Sequence, residues 1–158
     1  MSNAAEKERI AFGPKLLFGC YLLLVVKLLI FKYPITELRV IMDTWESGII
    51  WEGLENANFT LFKTIKMYIH YAYKLNSFEN LVGNVAVFLP FGCFLPRVCR
   101  WANHWFMVSC AALFFSLGIE LFQLFSAFGA FDVDDLLLNV SGALLGYWVH
   151  IISTKIFQ

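Results

Sequence analysis

Apolar residues run almost unbroken through four stretches of this chain, at about residues 16–33, 79–98, 105–128 and 135–153. Each is long enough, at roughly 20 residues, to cross the hydrocarbon core of a bilayer as a helix. The polar residues inside them are few and not scattered. Asn84 stands near the start of the second stretch, Ser116, Glu120 and Gln123 toward the end of the third, and Asp135 and Asn139 at the start of the fourth, just after Asp132 and Asp134. Successive spans alternate in direction, so all of these fall at one end of a four-helix bundle. A carboxyl group at membrane depth costs at least a few kcal/mol, so such residues point to function.

Helical spacing sharpens the pattern. Ser116, Glu120 and Gln123 stand at i, i+4 and i+7, one stripe on one face. Asp135, Asn139, Gly142 and Gly146 stand at i, i+4, i+7 and i+11, again one stripe. Its lower part is small-xxx-small, which lets two helix backbones approach closely, so the fourth helix is expected to pack against a neighbour along it. By helical rise Asn139 lies ~6 Å along the helix from Asp135, and Glu120, about 10 Å below the helix top, is the deepest carboxyl.

Between the first two spans runs a long connection from Ile35 to about Phe78. It carries Trp45, Trp51, Tyr68, Tyr71 and Tyr73, a density of amphipathic rings that suits the headgroup layer. Within it, 60–73 reads either as an interfacial helix, with Leu61, Ile65, Tyr68 and Ile69 near helical spacing, or as an ordinary folded loop. Pro90, Gly92 and Pro96 make the second span the least regular. Pro90 is expected to kink it, with neighbouring helices satisfying the freed carbonyl. The first stretch contains Lys27 and is followed by F-K-Y-P-I-T rather than by small residues, so it reads as a retained anchor.

Composition supports the membrane class. The 158 residues are 59% hydrophobic with 17 Phe and only 15% charged, against about 25% charged in soluble domains, and mean hydropathy is +0.67. One compact all-α membrane domain over 1–158 is expected, a bundle of four transmembrane helices with a long, partly interfacial first outer loop. Twelve basic and twelve acidic residues balance to zero, and no basic stripe marks a nucleic-acid partner. Lys7, Arg9 and Lys15 precede the first span, Arg97 and Arg100 join the second to the third, and Lys155 follows the fourth. The positive-inside rule puts these flanks, and both termini, on the cytoplasmic side. The polar end is then at the outer leaflet. Lys63, Lys66 and Lys74 fall in the long outer loop, offset by Glu46, Glu52, Glu55 and Glu79.

Cys20, Cys93, Cys99 and Cys110 form no C-x-x-C pair and read as free thiols filling apolar space. His70, His104 and His150 do not cluster, so no metal site built on His and no cofactor is expected. Carboxylate ligation of a hard divalent ion by Glu120, Asp132, Asp134 and Asp135 stays open. Each polar residue also has a plain structural reading. Asp132 or Asp134 caps the fourth helix, while Asn84, Gln123 and Asn139 serve as interhelical hydrogen-bond glue. Ser116 bonds its own helix carbonyl, and Gly142 and Gly146 serve packing. Glu120 is the hardest to assign to structure alone, since neutral groups can supply glue.

Three blocks, N-V-A-V-F-L-P-F-G (84–92), S-L-G-I-E-L-F-Q (116–123) and F-D-V-D-D-L-L-L-N-V-S-G-A-L-L-G (131–146), resemble the signature blocks of the VanZ-like family. N-F-T-L-F-K-T-I (58–65) resembles its first-loop block. The resemblance covers about residues 16–152 and rests on the order and spacing of the blocks. It implies a small bacterial cell-envelope protein of about four helices, from a family whose namesake is linked to low-level resistance to the glycopeptide antibiotic teicoplanin. The family's polar positions fall on Asn84, Glu120, Gln123, Asp132, Asp135 and Asn139. Two departures stand out: family members often carry a basic residue shortly before the D-x-D-D run, where this chain has Phe128, Gly129, Ala130 and Phe131, and a proline where Leu61 stands. Lys63 or Lys66 is a substitute source of the missing counter-charge.

Three functions follow as expectations. The first is a non-enzymatic protein in which Asn84, Glu120, Gln123, Asp132, Asp134, Asp135 and Asn139 bind the headgroup of a membrane lipid or lipid-linked cell-wall precursor. The second is a membrane enzyme with Glu120 and Asp135 as candidate catalytic residues, working by general acid–base or metal-assisted chemistry on such a lipid. A transporter ranks third, because four helices and one deep carboxyl are few for that task. A homo-oligomer is compatible with all three.

Overall fold

The computed structural model describes residues 2–31, 34–46, 48–71 and 77–156, with side chains from Gly13 in the first helix and from Asn80 in the fifth. Tyr33, Tyr73 and Lys74, and the side chains of Lys7, Arg9 and Glu79, lie outside the described residues. The chain forms helices α1 (Ser2–Ile30), α2 (Ile35–Asp43), α3 (Gly48–Asn56), α4 (Lys63–His70), α5 (Ser77–Val98), α6 (Trp105–Ser126) and α7 (Val133–Ile156), with a 3-10 turn at Arg100–Ala102 between α5 and α6. Among the described residues, four helical segments are long and apolar enough to span a membrane: Gly13–Ile30, Asn80–Val98, Trp105–Ser126 and Val133–Ile156. The protein is a multi-pass, all-α membrane protein. The expected spans are borne out, except that the first helix ends at Ile30 and the third at Ser126.

The tightest seam joins α5 to α7. A Cβ built on Gly142 would overlap the Val85 carbonyl, one on Gly146 the Leu89 carbonyl, and one on Gly92 the Ala143 carbonyl. The two backbones therefore touch directly, as the small-residue stripe predicts, and glycine is required on both sides. Without a hydrophobic drive between helices in lipid, such close van der Waals contact is a main source of association.

Next to this seam α6 packs on α7, and α1 lies across α5 and α6. The core between them is apolar and aromatic: Phe18 and Val25 of α1, Phe88, Phe91 and Leu95 of α5, Val108, Ala112 and Ile119 of α6, and Ala143 and Tyr147 of α7. Phe91 and Phe115 stack with centroids 5.7 Å apart and planes 13° apart. Outside it, Leu17, Leu23, Phe114, Phe125, Trp148 and Ile152 stand exposed, the side chains such a protein presents to lipid.

Helix α5 runs on through both Pro90 and Pro96. Pro90 leaves the Ala86 carbonyl without its intrahelical donor. One residue further on, the Tyr21 hydroxyl of α1 donates to the Val87 carbonyl at 2.6 Å. At the end of the bundle holding Arg97, that guanidinium donates to Ser153 Oγ at 2.9 Å, and the Tyr147 hydroxyl donates to the Asn103 carbonyl at 3.1 Å.

The long connection is more ordered than its sequence suggests. Its α4 falls inside the stretch read as an interfacial helix, but α2 and α3 were not foreseen. Helix α3 packs on α6, and the Trp45 indole donates to the Phe125 carbonyl at 3.1 Å, satisfying a carbonyl that the end of α6 would otherwise leave open. Ala127, at φ 59, closes α6 in the left-handed region.

Candidate functional site

The C-terminal ends of α1 and α6 and the N-terminal ends of α5 and α7 meet at one pole of the bundle. There α4 folds back over them and closes a cavity of about 310 Å³. Asn84 and Asn80 of α5, Glu120 and Gln123 of α6, and Asp135 and Asn139 of α7 line it, together with Tyr68 of α4 and Leu28 and Leu29 of α1. Five of the seven ligand-binding candidates read from the sequence thus share one wall.

The amides hold the helices together. Asn84 Nδ2 donates to Asp135 Oδ1 at 2.7 Å, joining α5 to α7. Gln123 Nε2 donates to the Leu29 carbonyl at 2.9 Å, joining α6 to α1. Asn139 Nδ2 donates to Ser116 Oγ at 2.8 Å, joining α7 to α6. Ser116 thus serves a neighbouring helix, rather than only its own carbonyl as its sequence context suggests. Asn139 is 1% exposed, and its Oδ1 has no hydrogen-bond partner among the described residues. Buried acceptors are rarely left this way.

Glu120, 3% exposed, accepts the Asp132 amide on Oε2 at 2.9 Å. It thereby holds the entry of α7 against α6. Asp132 is the helix cap of the expected pair: its Oδ1 accepts the Asp134 amide at 2.8 Å, the Ncap-to-N2 bond that satisfies one orphan amide. The same carboxylate receives Asn58 Nδ2 at 2.8 Å and the Thr64 hydroxyl. A parallel bridge backs these contacts, with the Asn58 amide donating to the Phe131 carbonyl at 2.8 Å and the Val133 amide to the Asn58 carbonyl at 3.0 Å.

Asp134 does something else. Fully buried at 0% exposure, it accepts the amides of Phe62 at 2.6 Å, Thr64 at 2.8 Å and Ile65 at 3.1 Å. These are the open amides at the start of α4, where a helix carries partial positive charge and favours an anion. The chain takes a left-handed turn at Phe62, φ 64, to present them. Asp134 and Asp132 therefore clamp the first-loop block to the D-V-D-D run and are absent from the cavity lining. Among the described residues neutral donors, backbone amides with Asn58 and Thr64, meet these two carboxylates, while Lys63 and Lys66 stand exposed.

No group of three His, Cys, Asp or Glu side chains able to share an ion occurs among the described residues. The four cysteines are free, Cys20 exposed and the others partly buried. Tyr68 was read only as a loop aromatic, yet it walls the cavity and its hydroxyl accepts Asn80 Nδ2 at 3.2 Å. Burial first, then the negative charge of Asp135, push its phenol above the ordinary value of 10.0; the Asn80 bond opposes them, and Asp132 adds a lesser push. Asn58 and Thr64 were not singled out as site residues either; the first-loop block that contains them was the available signal.

The chain is similar in sequence to known proteins. Protein VanZ of Enterococcus faecium is 32% identical over 80 residues, 50% of this chain and 48% of that protein, so the match spans about half of the relative's length. No solved structure matches. The family model described as VanZ/LLP1 matches residues 18–154, which take in the second and third spans, most of the first and fourth, the first-loop block and the D-V-D-D run, and the chain belongs to that family.

Proposed function

We propose that this protein is a cell-envelope binding protein that receives the polar headgroup of a membrane lipid or lipid-linked cell-wall component in the cavity between α4 and the four spans. In this reading both termini are cytoplasmic and the cavity lies at the outer leaflet, as the basic flanks require under the positive-inside rule. Masking or remodelling such a headgroup lowers the access of a glycopeptide such as teicoplanin to its target. The similarity to Protein VanZ supports that setting.

One observation carries the reading. The cavity has a polar floor of carboxyl and amide groups, and its wall includes Leu28, which is 50% exposed on the lipid-facing side of α1. A molecule with a polar head and an apolar tail matches that wall at both ends. Small-molecule sites generally combine such apolar surface with a few placed polar groups.

Catalysis has less support. Asp132 and Asp134 each receive three donors from the protein, which occupies the D-V-D-D run with holding the loop. Glu120 and Asp135 remain its acid–base candidates.

Mass spectrometry of lipids retained by purified wild type and by Glu120→Gln tests the proposal. The amide can still accept the Asp132 N–H, so the bond at the entry of α7 is kept, and the unfolding temperature of the variant checks its fold. It is expected to lose most of a lipid class enriched on wild type. A wild type carrying only the bulk lipid mixture of its membrane would refute headgroup binding.

A further inference from the structure

At the pole away from the polar cavity, a groove of about 280 Å³ opens between α1 and α5, walled by Leu17, Phe18 and Tyr21 of the first and Phe94 and Val98 of the second. The Tyr21 hydroxyl is engaged by the Val87 carbonyl, and the groove surface is almost wholly carbon. Pro14, also in its wall, is the second residue of the first span, and Val98 is the last of the second. From Pro14 to Tyr21 the groove runs inward from the span ends for ~10 Å by helical rise. Its volume over that length gives a cross-section of roughly 28 Å², far too narrow for an α-helix about 10–12 Å across.

Arg97 is the charged member of the lining. Its Cζ stands 5.8 Å from the Phe94 ring centroid, which sets the guanidinium at the mouth of the groove. It donates to the Cys93 carbonyl and Sγ, both at 3.2 Å, and to Ser153 Oγ at 2.9 Å. Those partners are neutral, and they use three at most of the five N–H donors a guanidinium carries. The exposed Arg97 therefore keeps open donors and forms no ion pair among the described residues. Lys15, Arg100 and Lys155 stand exposed at the same pole, whose described residues, in 13–20, 93–110 and 148–156, include no Asp or Glu.

We infer that this groove binds an anionic membrane phospholipid, with one acyl chain between α1 and α5 and the phosphate on Arg97. The site is separate from the polar cavity, and the inference stands apart from the headgroup-binding reading above. The span ends mark the boundary of the hydrocarbon layer, where lipid phosphates lie. The exposed rings of Trp101 and Trp105, just beyond α5, suit that level. Arg recognises phosphate oxygens through charge-assisted N–H bonds, and basic pockets between spans suit anionic lipid heads. Beneath the guanidinium, a carbon-walled groove of this width takes a single hydrocarbon chain. A zwitterionic lipid offers the same phosphate but brings a cation toward Lys15, Arg100 and Lys155, so the charge of this pole favours a head with net negative charge.

The test is the unfolding temperature of the purified full chain in a neutral detergent, titrated with dihexanoyl-phosphatidylglycerol, dihexanoyl-phosphatidylcholine and glycerol 3-phosphate. Saturable stabilisation is expected from the glycerol lipid. It should be weaker from the choline lipid and absent from glycerol 3-phosphate, which has the anion without the chain. Arg97→Gln should weaken the glycerol lipid by about fivefold, the contribution of one basic residue at a membrane surface. Leu17→Trp, which fills the groove from an exposed position and leaves every charge in place, should weaken both lipids. Each variant is compared with its own ligand-free unfolding temperature, and Leu17→Trp decides if Arg97→Gln does not fold. Equal affinity for the two lipids in wild type overturns the anionic selection. An unchanged glycerol-lipid affinity in folded Arg97→Gln removes the phosphate from Arg97, and one in Leu17→Trp removes the chain from the groove; either overturns the inference. So does a wild type that answers no probe, or a dimer in detergent that Leu17→Trp disperses, since a second copy would then cover the groove.

Discussion

The Asp134 carboxylate on α7 accepts the Thr64 amide on α4 across 70 positions of sequence, at 2.8 Å and out of reach of solvent. With the Phe62 and Ile65 amides on the same carboxylate, it fixes a loop helix over the end of a membrane span. Asp134→Ala strips three amides of their acceptor at once. It should cost about 2–4 kcal/mol in denaturant unfolding, since buried groups lose charge-assisted bonds. Hydrogen exchange should rise first at Thr64 and Ile65, and Asp134→Asn should fall between wild type and the alanine variant.

The glycine seam gives a sharper contrast. Gly146→Ala would put a methyl into the Leu89 carbonyl of α5, and Gly142→Ala into that of Val85. Backbone cannot move aside as a side chain can, so each should lower stability by about 1–3 kcal/mol. Gly118→Ala has nothing within 4 Å of its new methyl. It should be neutral or stabilising by up to about 1 kcal/mol, the helix preference for Ala over Gly. Thermal unfolding of the three variants side by side checks the difference.

Ser116 and Asn139 should behave as a pair. Ser116→Ala leaves the Asn139 amide group without its acceptor inside the bundle and should cost about 0.6–2 kcal/mol. Adding Asn139→Leu removes the stranded group, so the second change should cost less than it does alone. A double-mutant cycle showing simple additivity would contradict the pairing.

Tyr68 links the cavity to pH. Below pH 10 the phenol is protonated in both folded and unfolded chains, and its contribution to stability is fully present. Its folded value is raised, so with rising pH the unfolded chain ionises first and that contribution is lost as pH climbs through the folded value. Wild type should lose more stability than Tyr68→Phe from about pH 10 upward. Asp135→Asn, by removing a nearby negative charge, should bring the phenol down in an ultraviolet absorbance titration.

Orientation has a direct check. Ala130→Cys, in the short link between α6 and α7, should react with a membrane-impermeant thiol reagent on intact cells. Asn103→Cys, at the other end of the bundle, should react only after permeabilisation. Both are built on a background with the native cysteines replaced, and the reverse pattern would place the cavity at the cytoplasmic face.

Residue spacing carried much of this in advance. The stripe of Asp135, Asn139, Gly142 and Gly146 foretold a close helix contact, and the alternation of spans brought Asn84, Glu120, Gln123, Asp135 and Asn139 to one pole, because both depend on helical period and direction alone. What spacing could not supply were partners that leave no side-chain signature. The acceptor for Gln123 is the Leu29 backbone carbonyl, and the donors for Asp134 are backbone amides. Helices α2 and α3 escaped notice because each is only 9 residues long, too short to separate its period from the surrounding aromatic loop. Tyr68 looked like one more headgroup-layer ring until α4 was seen folded against the bundle.

Because carbonyl meets glycine at three points of the contact of α5 with α7, no side chain at those points can swing to make room. That pair is a fixed plank, and two of the cavity's walls are nailed to it. The remaining walls, α4, α6 and α1, touch the cavity through side chains such as Tyr68, Gln123 and Leu28, and Leu28 is already half exposed.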